Sequence, residues 1–126
     1  MNRWLLSALS GLILMACDSA SPFHIPRMQW EGTEFALQLR PPVPRRGMNE
    51  FLIIGTREGR KPLGNAIVSL RVSESRPWRQ AIQDGRTGVY RRALALDDPS
   101  TQSLQVRIQW EGKTGEISFP LHGRKE

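Results

Sequence analysis

SLQVRIQWEGKTGEISFPL, residues 103–121, is the stretch that decides the fold. From Ser103 to Trp110 it alternates without a break: Leu104, Val106, Ile108 and Trp110 fall on one side, Gln105, Arg107 and Gln109 on the other. A period of two sends successive side chains to opposite faces, so this reads as a half-buried β-strand. Glu111-Gly112 follows as a turn, where glycine takes a positive φ at little cost. Glu116 to Leu121 then returns with Ile117, Phe119 and Leu121 inward. Pro120 falls on the outward side and has no N–H for a ladder, which predicts an edge strand.

Working outward, "QWEGTEFALQL" (29–39) nearly repeats "QWEGKTGEISFPL" (109–121). Two hairpins meeting the same demand, with Trp capping the core end, account for the repeat. A paired-tryptophan recognition surface is the sharper alternative. Further strands are read at Glu34–Arg40 (Phe35, Leu37 and Leu39 on one face), Asn49–Thr56, Ala66–Val72 (Ala66, Val68, Leu70 and Val72 inward), Trp78–Gln83 and Gly88–Leu96. A short one is possible at Met28–Trp30. "RPPVPRRG" (40–47), "SESRP" (73–77) and "LDDPSTQS" (96–103) read as loops. Gly59 and Gly64 are expected to make tight turns around Pro62. No segment shows a helical apolar period. About seven short strands with turns between them predict an all-β chain, a single Ig-like or transthyretin-like β-sandwich, with a closed barrel as the alternative.

"GRKPLGNAIVSLRV" (59–72), "DGRTGVYRRALAL" (84–96) and residues 103–121 together resemble the YtkA-like/FixH-like domain. The resemblance spans about residues 35–121, and the same words occur in transthyretin-like and carboxypeptidase-regulatory-like sandwiches. It implies a β-sandwich, and it implies a link to copper handling and oxidase maturation. Independently of family, Tyr90 after Gly88 is placed to anchor a strand start through its hydroxyl.

The first residues carry a different message. Arg3 precedes an apolar run from Trp4 to Met15, and Ala16 and Cys17 close it. This is the layout of a secretory signal, and the run is shorter than the roughly 20 residues a spanning helix needs. Leu14-Met15-Ala16-Cys17 resembles the bacterial lipobox, with Leu14 and Ala16 as recognition positions and Cys17 as the lipidated residue. Cys17 is the only cysteine, so it has no internal disulfide partner. Acyl chains such as palmitate on Cys17 would anchor the chain in a bilayer. The expected organisation is a signal peptide over 1–16, a lipidated Ser/Pro-rich tether over 17–27 and the sandwich over 28–126. Asp18, directly after Cys17, resembles the retention signal that keeps lipoproteins on the periplasmic face of the inner membrane; the outer membrane is the second choice.

Composition narrows the function classes. The chain of 126 residues carries a net charge of +6, falling to +5 without Arg3, and 15 of its 18 basic residues are arginine. Arginine's planar fork suits carboxylates and phosphates. A basic domain held near an anionic bilayer is drawn to it within a Debye length. Nucleic acid is not expected, on compartment and for want of a basic stripe interleaved with aromatics. There is no G-x-S-x-G elbow, and Asp97-Asp98 before Pro99 reads as a turn, so an enzyme is not expected. No cofactor is expected, with copper the one candidate: His24 with Met28, or His122 with Met48, are the donors an oxidising compartment would offer it. Three readings stay open: an envelope structural or protein-interaction module, a copper-handling or oxidase-assembly factor, and a domain binding an anionic envelope ligand.

Overall fold

A computed structural model describes residues 24–122. The expectations for the signal peptide, Leu14, Ala16, Cys17 and Asp18 therefore lie outside the described residues. Among the described residues ten strands follow in order: β1 (Met28–Trp30), β2 (Thr33–Arg40), β3 (Gly47–Arg57), β4 (Lys61–Pro62), β5 (Ile67–Arg71), β6 (Arg79–Gln80), β7 (Ile82–Gln83), β8 (Val89–Leu96), β9 (Ser103–Trp110) and β10 (Lys113–Pro120). A 3₁₀ turn at Glu58–Arg60 sits between β3 and β4. One sheet has the order β1-β2-β3-β8-β7, with β4 paired to β3; the other runs β10-β9-β5-β6. Every pairing is antiparallel. The expected β-sandwich is the architecture found, and β10, which carries Pro120, lies at a sheet edge.

Alternation explains the core. Leu104, Val106 and Ile108 of β9 are fully buried against Phe35, Phe51, Ile53, Val68, Leu70 and Phe119. Each buried aliphatic or aromatic side chain contributes about 1.5–3 kcal/mol by leaving water. Trp110 stays on this face but is only half-buried, because the sandwich ends there; the Arg57 guanidinium covers its ring at 4.7 Å.

The two near-repeats are two hairpins of one kind. Trp30 pairs with Thr33 across Glu31-Gly32, and Trp110 pairs with Lys113 across Glu111-Gly112. All four loop residues have positive φ, at 47°, 70°, 48° and 75°. Two-residue loops of this conformation match the twist of the strands they join. Lys113 bridges to Glu31 at 3.1 Å, joining one tip to the other. Trp30 lies so close over Gly115 that any Cβ there would overlap its indole. Both tryptophans thus close the end of the core, and the repeat reflects packing.

Three features differ from the sequence reading. Trp78–Gln83 is not one strand. Its first half, β6, pairs with β5 (Ser69↔Gln80), and its second, β7, pairs with β8 (Ile82↔Arg91). The chain changes sheets at Ala81, a buried small residue whose N–H still donates to Val68 O at 2.7 Å. Next, the left-handed position after Leu63 is Asn65, at φ 55°, rather than Gly64; asparagine tolerates that region through local hydrogen bonding. Finally, Lys61–Pro62 folds back on Thr56–Arg57 as a short strand.

Two polar anchors tie loops to this frame. Buried Asn49 accepts from Arg45 N at 3.0 Å and donates to Arg45 O and Gly47 O, which organises the Pro/Arg loop. Tyr90, 1% exposed, donates its hydroxyl to Leu63 O at 2.8 Å and accepts from Ala66 N at 3.3 Å. It anchors the start of β5 as expected. Burial pushes its phenol above the ordinary range, partly opposed by the Ala66 N–H.

Candidate functional site

Arginines dominate the surface. Among the described residues, Arg27 pairs with Glu34, Arg76 with Asp97, and Arg107 with Glu116. These are exposed pairs of small energetic worth. No ion pair forms at Arg71, Arg79, Arg91 or Arg92 among the described residues.

Four arginines border one cleft of about 390 Å³. β5 with β6 bounds one side, and β8 with the start of β3 bounds the other, where the two sheets part. Arg71, Arg76, Arg79 and Arg92 line it, over an apolar floor that includes Val72 and Leu94. Met48 stands at its wall with 55% of its surface exposed. The lining holds no carboxylate.

Local structure sets each guanidinium. Arg92 pairs directly opposite Phe51, and Tyr90 opposite Ile53. Opposed residues share a sheet face, so Arg92 occupies a position on the core face of β8. Its guanidinium reaches one acceptor, Gln80 O, at 3.4 Å. Arg71 lies opposite Gln105 across the β5–β9 pair and turns its guanidinium to the outer face of that sheet, away from the cleft. Its Nε donates to Gln105 at 2.6 Å, and its guanidinium lies 4.2 Å from the centre of the Trp78 ring. Arg107 approaches the same ring at 4.3 Å. Such contacts contribute about 0.5–1 kcal/mol each at exposed sites.

The copper donors do not gather. His24 lines a shallow groove beside Leu37 and Leu39. Met28 pairs with Phe35 in the β1–β2 ladder and packs against the core. Met48 stands in the arginine cleft, and exposed His122 follows β10. Among the described residues no group of three or more His, Cys, Asp or Glu is placed to hold a metal ion.

Asp97 and Asp98 form a turn. Asp98 Oδ1 accepts from Ser100 Oγ at 2.6 Å and from Ser100 N at 3.0 Å. These hydrogen bonds hold its carboxyl below the usual range, the hydroxyl contributing most. Asp97 turns away to Arg76.

Sequence reasoning did not find the cleft. The available signal was the alternation of "VYRRALAL" (89–96), which puts Arg92 in phase with Tyr90, Leu94 and Leu96. No helix among the described residues is long and apolar enough to cross a membrane. No family model, curated protein or solved structure matches the chain.

Proposed function

We propose that this chain is a lipid-anchored envelope protein, acylated at Cys17, whose β-sandwich serves as a non-enzymatic interaction module on the periplasmic face of the inner membrane. The observation that carries the reading is the run from Leu14 to Cys17, an apolar stretch closed by a small residue and the sole cysteine. Acylation gives that thiol a role that an internal disulfide cannot. Asp18 supports inner-membrane retention. The resemblance to YtkA-like/FixH-like domains supports an accessory role in the envelope, beside a protein partner. The arginine excess supports contact with anionic groups close to the bilayer, where attraction is strongest.

Metabolic labelling with a fatty acid tests the anchor. The wild-type chain is expected to take the label, and Cys17→Ser to remain unlabelled. An unlabelled wild-type chain would overturn the reading.

A further inference from the structure

We infer that the cleft between β5–β6 and β8 is a binding site for an anionic amphiphile, a phosphate-bearing headgroup carried on an apolar chain. The inference stands on the cleft and does not depend on the anchor at Cys17.

Charge supplies the first argument. Arg76, Arg79 and Arg92 border the cleft, and of these only Arg76 has a carboxylate partner among the described residues, Asp97. Guanidinium forks bind phosphate oxygens in pairs, with charge-assisted bonds stronger than neutral ones. Arg92 supplies the second. A core-face position on a strand normally holds an apolar side chain, and Arg92 sits half-buried at one just past the end of the β7 pairing. Arg92 instead keeps five N–H donors there and uses one, on a long 3.4 Å bond to Gln80 O. Sites where a fold departs from its own pattern are where function is expected.

The third is the floor. Val72, Leu94 and the exposed Met48 offer an apolar wall that a bare phosphate would leave uncovered. An alkyl chain covers it while the headgroup meets the arginines. The volume of about 390 Å³ suits a headgroup with a short length of chain, lying within the roughly 300–1,000 Å³ of small-molecule sites.

The test titrates the full purified chain, kept in solution by a non-ionic maltoside detergent, with hexyl phosphate, inorganic phosphate and hexanol, against the detergent alone as blank. Hexyl phosphate is expected to bind at least about ten-fold more tightly than either fragment. Arg79→Gln and Arg92→Gln are each expected to weaken it about ten-fold, the loss of one charge-assisted contact. Arg60→Gln, in the 58–60 turn away from the cleft, should leave it unchanged. Arg79 is exposed, so Arg79→Gln decides the matter even if Arg92→Gln unfolds. Inorganic phosphate binding as tightly as hexyl phosphate would overturn the apolar half of the inference. Hexanol binding as tightly would overturn the anionic half. Unchanged affinity in Arg79→Gln would overturn the location.

Discussion

Replacing Tyr90 by Phe keeps the buried ring and removes only the hydroxyl. That hydroxyl donates to Leu63 O at 2.8 Å and accepts from Ala66 N at 3.3 Å. The variant strips one buried acceptor and one buried donor of this partner together. A buried polar group left unpaired costs about 1–3 kcal/mol. The shorter bond takes the middle of that range and the longer one the bottom, so the loss should be about 3 kcal/mol. For a domain near 100 residues this lowers Tm by roughly 10 °C or more. Urea unfolding at neutral pH measures it, with the slope unchanged if only the native state is affected. The same side chain sets a pH limit. Burial raises the Tyr90 phenol above its ordinary value of about 10. A raised folded value means the native state holds the proton longer than the unfolded chain. This contribution is therefore complete below pH about 10 and is lost as pH rises through the folded value. Tyr90→Phe should lack that alkaline loss. Tyr90 is the sole tyrosine, so tyrosinate absorbance reads its ionisation directly. A stability loss under about 0.5 kcal/mol, or ionisation of folded Tyr90 at the ordinary pH, would refute the reasoning.

Gly88→Ala should cost upwards of about 2 kcal/mol by thermal unfolding, since φ is 77° and the new Cβ would stand 2.6 Å from Gly55 O. Gly32→Ala, at φ 70° but in open space, should cost only about 1–2 kcal/mol. Trp110→Ala should lose about 1–3 kcal/mol and Phe119→Ala about 3–5 kcal/mol, because Phe119 is fully buried and Trp110 is not; equal losses would mean the sandwich continues past Trp110. Density fractionation of wild type beside Asp18→Ser should show a move from the inner to the outer membrane fraction. Finding both in the outer fraction would remove Asp18 as a retention signal.

Alternation in residues 103–110 and the Glu-Gly turns were enough to establish strands and faces, and Pro120 the β10 edge. Those are properties of neighbours along the chain: a period of two and a two-residue loop need no distant partner to be read. Tyr90 as an anchor was also legible, because a phenol on a buried strand face needs a hydrogen-bond partner. Its partners were not, since Leu63 and Ala66 lie 27 and 24 residues away. The contact makes "KPLGNA" (61–66) the socket for Tyr90 of "GVY" (88–90).

Ala81 shows where sequence stops. "WRQAIQ" (78–83) reads as one weak strand, and nothing local says that its halves join different sheets. That depends on where β5 and β8 stand, and both are placed by long-range pairing. Arg92 shows the same limit at the candidate site. The sequence by itself determined an all-β chain, its strand faces and an arginine excess. Only the tertiary structure decided that three of those arginines border one apolar floor, because Arg76, Arg79 and Arg92 come from two sheets and a loop that touch only when the sandwich closes.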